Sequence, residues 1–184
     1  IGSSTYRHFS HSFTPAAGNT ENVNISARVR SLENLLFVGN ETANLINPEI
    51  YKTHVGTNLC FAGGGSYNVF IGSVRYPSNT ITVEPSTNKG QAYQELRKCF
   101  GALGSINHGG LLNSGTYLVS AKGESVDGRT TGGGPAYAPF GIYFKSFRHE
   151  LEDGIDTPSR ALPIRLELNC KQDGGLTTLD IYAQ

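Results

Sequence analysis

The chain has 184 residues, with 15 basic and 15 acidic side chains, 23 Gly, nine Tyr, nine Phe, no Trp and no Met. That length suits one well-buried domain and is short for two. Balanced charge, with no basic cluster beyond Arg28 and Arg30 alternating with apolar neighbours, argues against direct nucleic-acid binding; no run approaches the roughly 18 apolar residues of a membrane helix, and no basic start leads into the apolar stretch of a signal peptide.

The first strand is expected over Tyr6–Phe13, with Arg7, Phe9, His11 and Phe13 on one side. Asn22–Arg30 alternates more clearly: Val23, Ile25, Ala27 and Val29 face one way, Asn24, Ser26 and Arg28 the other. Ser31–Val38 fits a strand or a helical turn, its apolar run being too short to decide. Residues 39–66, with Pro48, several Asn and Gly63-Gly64-Gly65, read as loop with one short strand at Asn58–Ala62. Tyr67–Val74 and Thr80–Val83 read as strands separated by a turn at Tyr76-Pro77-Ser78-Asn79. Over Gln91–Leu103, Tyr93, Leu96, Phe100 and Leu103 recur at helical spacing while Glu95, Arg97 and Lys98 face outward, and Gly101 and Gly104 end the helix. Such a helix would cover one end of the sheets.

Thr116–Ala121 is a further strand, and Glu124–Pro139, containing Gly132-Gly133-Gly134-Pro135, a long loop. The last 45 residues read as strand, acidic loop, strand, turn and strand. Ile164, Leu166 and Leu168 alternate with Arg165, Glu167 and Asn169, and Thr177, Leu179, Ile181 and Ala183 with Thr178, Asp180 and Tyr182. Asp173-Gly174-Gly175 between them supplies the residues of a hairpin turn. About eight or nine strands and one helix, without a fixed-period repeat or strand–helix alternation, exclude solenoids, propellers and doubly wound folds.

No constellation assembles a reaction centre. His8 and His11, three apart on a strand, fall on opposite faces and share no metal. His149-Glu150-Leu151-Glu152-Asp153 lacks the spacing and turn glycine of an EF-hand and reads as a solvated acidic loop. There is no Gly-x-Ser-x-Gly elbow. Cys99 reads as a small buried hydrophobe, and nothing in the spacing pairs His54 or His108 with Cys60 or Cys170. The glycine runs lack the Lys-Ser/Thr of a phosphate loop. Three widely spaced cysteines suggest free thiols made in a reducing compartment. Asn24-Ile25-Ser26 and Asn40-Glu41-Thr42 match the glycosylation triplet, a pattern that arises often by chance. No catalytic, cofactor-binding or metal-ligating residue is proposed. Lacking Met and starting at Ile1, the chain is expected to be trimmed or part of a longer polypeptide.

Two stretches carry a resemblance. One is Phe70–Gly101, FIGSVRYPSNTITVEPSTNKGQAYQELRKCFG, and the other runs from Gly141 to Ala183, GIYFKSFRHELEDGIDTPSRALPIRLELN…LTTLDIYA. Both resemble the C-terminal jelly roll of double jelly-roll major capsid proteins of DNA viruses, the lineage of hexons, virophages and adintovirus- and Polinton-like elements; Arg28–Phe37 is similar to a further run in them. The resemblance implies an all-β fold: an eight-stranded antiparallel jelly-roll sandwich with one short helix, residues 1–184 forming a single domain. At this length the chain would be a single roll, or the second roll of a larger protein. It implies a structural, non-enzymatic capsid protein of the virion, made inside the host cell, which packs with copies of itself and other capsid proteins as trimers in an icosahedral shell. Loops 39–66 and 122–139 are the expected contacts between subunits. Jelly rolls also serve as carbohydrate-binding modules, for which Tyr51, Tyr67, Tyr137 and Tyr143 are candidate platforms, or as cupin-type metal enzymes, which need a His/carboxylate cluster that these scattered histidines lack.

Overall fold

A computed structural model describes residues 5–42, 64–84, 88–100, 117, 139–144, 154–158, 162–171 and 173–184. The strands are β1 (Arg7–Phe13), β2 (Thr20–Ile25), β3 (Asn34–Glu41), β4 (Gly65–Ile71), β5 (Val74–Val83), β6 (Phe140–Tyr143), β7 (Ile164–Cys170) and β8 (Thr177–Ala183), with helix α1 (Gly90–Cys99) between β5 and β6. They form two four-stranded sheets ordered β1-β8-β3-β6 and β2-β7-β4-β5, with every neighbouring pair antiparallel. The first strand pairs with the eighth, the second with the seventh, the third with the sixth and the fourth with the fifth. A chain folded back on itself near its middle and then wrapped into two layers gives this order: a jelly roll.

Alternation along the strands decides what lies between the layers. Phe13, Leu35, Phe37, Phe140, Ile142, Leu179 and Ile181 come from one sheet, and Val23, Ile25, Tyr67, Val69, Ile71, Ile81, Leu166 and Leu168 from the other, all buried. At the centre Phe37 meets Tyr67 edge-on (centroids 5.1 Å, 84°) and Phe140 in a stack (5.6 Å, 24°), while Tyr67 meets Phe140 at 5.5 Å. Such ring pairs add to the area they bury.

The ambiguous segment at 31–38 resolves into β3, held between β8 and β6. Strand β2 is shorter than its alternation suggested. Its ladder with β7 ends at Ile25↔Ile164; the next residue, Pro163, turns its carbonyl to the other side, where it accepts from Gly72 N–H at 2.9 Å. Beyond it, Val29 donates to the Thr157 hydroxyl at 3.0 Å and Thr157 N–H donates to Val29 O at 3.1 Å. The residues after Ile25 thus use a crossing segment instead of a sheet.

The reversal after β4 falls at Gly72, whose φ is +61°, not at Tyr76–Asn79. Strand β5 runs through that segment, but Tyr67 pairs with Ile81 and Val69 with Tyr76, so residues 77–80 bulge out of register. The Tyr76–Pro77 bond there is cis. Pro sits at an edge strand's bulge because it has no N–H to give a neighbour.

Asp173-Gly174-Gly175 makes no hairpin. β7 and β8 lie in different sheets, and β8 already has β1 and β3 on its two sides. The turn instead ties down residues 15–17: Asp173 Oδ1 accepts from Ala17 N–H at 2.7 Å and Gly174 N–H donates to Pro15 O at 3.0 Å. Likewise β6 and β8 share a sheet only with β3 between them, so the terminal strands form no local unit.

Helix α1 packs against β6, burying Ala92, Glu95, Leu96 and Cys99. Phe100 is exposed, and Glu95 faces in rather than out, its charge met by Lys98 one turn on. Tyr117 is buried in the core; the strand expected around it, the one at Asn58–Ala62 and most of both long loops lie outside the described residues, although β3 runs to Glu41, inside the expected 39–66 loop.

A Cβ on Gly141 would lie 2.8 Å from Cys99 Sγ and 2.9 Å from Leu36 Cδ2. Gly141→Ala is therefore expected to destabilise by about 1–3 kcal/mol, the usual cost of overpacking, read as a lower midpoint in urea unfolding. Phe37→Ala, opening the aromatic centre, should cost about 3–5 kcal/mol.

Candidate functional site

Two kinds of region could carry function: the chemistry buried beneath α1, and the outer faces and edges of the sheets. Beneath α1, the Tyr67 hydroxyl donates to Gly141 O at 3.3 Å and the Tyr117 hydroxyl to Pro139 O at 3.2 Å. Cys99 and Glu95, both on α1, lie close enough to Tyr67 to act on its ionisation. Burial raises the pKa of all three acids, first by desolvating the anion: Tyr67 with added repulsion from Tyr117, Cys99 and Glu95, Cys99 with repulsion from Glu95, and Tyr117 with repulsion from Cys99. Cys99 is thus a neutral thiol at ordinary pH, the opposite of what a nucleophilic cysteine requires. It is the small buried hydrophobe that its place in the sequence suggested. Cys170 is also buried.

The histidines of β1 separate as expected. On the outer face His8 Nε2 sits 2.9 Å from Asp180 Oδ1, and its ring stacks on Tyr182 at 5.0 Å. Asn40 donates to the other Asp180 oxygen at 3.1 Å, so this amide is already engaged. Beside it the Thr42 and Thr178 hydroxyls are 2.8 Å apart, with Ser12 Oγ 3.4 Å from Thr178. On the inner side His11 Nε2 meets Glu21 Oε1 at 2.8 Å, joining the edge strands of the two sheets where the sandwich opens. A cleft of about 150 Å³ beside this pair is lined by Phe13, Thr14, Pro15, Asn19, Glu21 and Cys170. It is smaller than the ~300 Å³ at which small-molecule sites begin.

The outer face of the second sheet is a polar grid. Thr20 donates to Asn169 Oδ1 at 2.5 Å and Asn169 donates to Ser66 at 3.2 Å, across β2, β7 and β4. Arg165 lies 4.6 Å over the Phe70 ring. Both outer faces therefore present hydroxyls, amides and paired charges held in fixed positions by neighbours on adjacent strands.

Of the four tyrosines considered as sugar platforms, Tyr67 is fully buried and Tyr143 half-buried; a platform must be exposed, so Tyr67 is not one. Tyr51, Tyr137, Cys60, His54, His108 and the acidic run at 149–153 lie outside the described residues. Among the described residues no group of three His, Cys, Asp or Glu could hold a metal ion, and no helix is long and apolar enough to cross a membrane. The alternation had placed Asp180 on a strand face, and Asn40 was expected in the 39–66 loop; neither reading gave a sign that β1, β8 and β3 would bring them to His8.

The chain is similar to the crystal structure of the STIV MCP, a major capsid protein, at 10% sequence identity and a TM-score of 0.37. The match covers 98% of this chain and 48% of that one, so the chain spans about half its length. No family model and no curated protein matches the chain.

The raised acids fix a pH dependence. Each is protonated when folded and ionises more easily when unfolded, so its contribution is full below the unfolded pKa and is lost as pH rises. Cys99 should begin to weaken the fold near pH 9.0 and Tyr67 and Tyr117 near pH 10.0, their ordinary values. Urea midpoints measured from pH 7 upward should fall over this range. Cys99→Ala should shift the onset toward the higher value, whatever its pH-independent cost; an unchanged onset would contradict the assignment.

Proposed function

We propose that this chain is a structural capsid protein, built to pack against copies of itself and other capsid proteins as trimers in an icosahedral virion. The observation that carries the reading is where the two capsid-like stretches of sequence fall. One supplies β5 and α1, the other β6, β7 and β8, and they meet where Cys99 covers the missing side chain of Gly141. Two separated runs that resemble the same family thus form one interlocked part of a jelly roll. The balanced charge supports it, since copies with no net charge feel no long-range repulsion. So do the outer faces, whose fixed polar groups suit specific contact. Loops 39–66 and 122–139 are proposed as contacts between subunits, and the chain as one roll of one or two in its full polypeptide. Direct nucleic-acid binding is not part of the proposal.

Electron microscopy of the native material is expected to show icosahedral particles, with removal of Gly132–Pro135 reducing assembly. A dispersed monomer that binds glycans on an array would sink the capsid reading and favour the carbohydrate-binding alternative. Particles assembled normally after the deletion would remove that loop from the contacts.

A further inference from the structure

Strand β1 ends its sheet, and hydrogen-bond parity shows which of its groups are left over. Gln184 and Asn34 exchange both backbone bonds (3.1 and 3.4 Å), and Thr42 N–H donates to Leu176 O at 2.9 Å. Even-numbered residues of β8 therefore turn their peptide groups toward β3, and odd-numbered ones toward β1. In the register Arg7↔Ala183 to Phe13↔Thr177, the odd residues of β1 bond to β8. His8, Ser10 and Ser12 direct their N–H and C=O groups to the open edge, where no backbone partner faces them among the described residues.

Sheet edges are commonly blocked by Pro, Lys, a bulge or a covering helix. Here β5 has Pro77 and an out-of-register segment, and β6 is short and covered by α1. Among the described residues β1 has none of these.

We propose that the edge of β1 pairs antiparallel with β1 of a second copy, about a twofold axis at Ser10. The sequence RHFSHSF complements itself in that register. Ser10 faces Ser10 and His8 faces Ser12 at the hydrogen-bonded positions, so all three outward-facing residues are satisfied in both copies. Arg7 opposes Phe13 and Phe9 opposes His11 on the inner side, with no like charges opposite each other. The half-buried Phe9 gains cover from the partner's ring. Like faces of the two sheets also stay together, because opposed residues are both even or both odd. The other open edge, β2, has the same parity, but its apolar Val23 and Ile25 are already buried, so pairing about a twofold at Asn22 would cover no further apolar side chain as it covers Phe9. The choice of a second copy as occupant rests on the capsid reading; the open, self-complementary edge does not.

The test uses the whole chain with Cys60→Ser, leaving Cys99 and Cys170, both buried. Under mild oxidation Ser10→Cys should give a disulfide-linked dimer, since directly paired strand positions lie within disulfide reach; Asn22→Cys, at the middle of β2, should not. In sedimentation, Ser10→Pro should weaken self-association about tenfold or more with the urea midpoint little changed, because the N–H it removes points away from β8. Cross-linking through Asn22 but not Ser10, or through neither, overturns the proposal, and this holds even if Ser10→Pro fails to fold. A dimer cross-linked through Ser10 in material that never forms shells would refute the capsid reading alone. Shells without that cross-link would refute the edge pairing alone.

Discussion

Phe37, Tyr67 and Phe140 meet at the centre of the sandwich, and most of the molecule is arranged around their contact. Phe37 and Phe140 belong to one sheet and Tyr67 to the other, so their rings set how the two layers approach. Tyr117 reaches the same cluster at 6.2 Å from Phe140 and Tyr93 of α1 lies 5.5 Å from Tyr117. The helix is thereby connected to the core through aromatic contacts, while Cys99 seats it on the bare backbone of Gly141. Buried polar groups follow from this geometry: the two phenols find backbone carbonyls, and their acidity is suppressed because nothing around them can solvate an anion.

The period-two alternation made most strands legible. It located β7 and β8 closely, grouped Arg7, Phe9, His11 and Phe13 on one face of β1, and set His8 and His11 on opposite faces. What it did not contain was pairing. Asp173-Gly174-Gly175 has the residues of a hairpin, but a turn specifies only a reversal. Whether the next strand joins the same sheet depends on which edges are already occupied, and β8 was held by β1 and β3. The Tyr76-Pro77 signal misled in a similar way, since proline marks a break in a ladder as readily as the end of a strand. Glu95 was misplaced because periodicity weighs a carboxylate as polar and takes no account of Lys98 beside it. The buried cluster under α1 was invisible for the same reason: its members come from β4, α1 and Tyr117, distant in sequence, and only the wrapped fold brings them together.

Polar side chains on the outer faces behave as part of the architecture. His8, Asp180 and Asn40 span three strands, as do Thr20, Asn169 and Ser66 on the other sheet. Cross-strand contacts of this kind each contribute a few tenths to about 1 kcal/mol. Their larger effect is to hold the side chains still, so a partner that meets the face loses less freedom in ordering it.

Pairing the first strand with the last also governs how the chain can fold. β1 finds its only described ladder partner, β8, about 170 positions away, and β2 is similarly remote from β7. Among the described residues only the β4–β5 ladder joins strands adjacent in sequence through a tight turn. Closing such distant contacts costs loop entropy before any pairing compensates it, which places the fold among the slow ones. During synthesis both β1 and β2 emerge long before their partners and wait unpaired, alternating and apolar on one side. The interval is a period of exposure to aggregation, and its length is set by the topology itself: a sandwich whose ends are joined last is complete only when nearly all of it has been made.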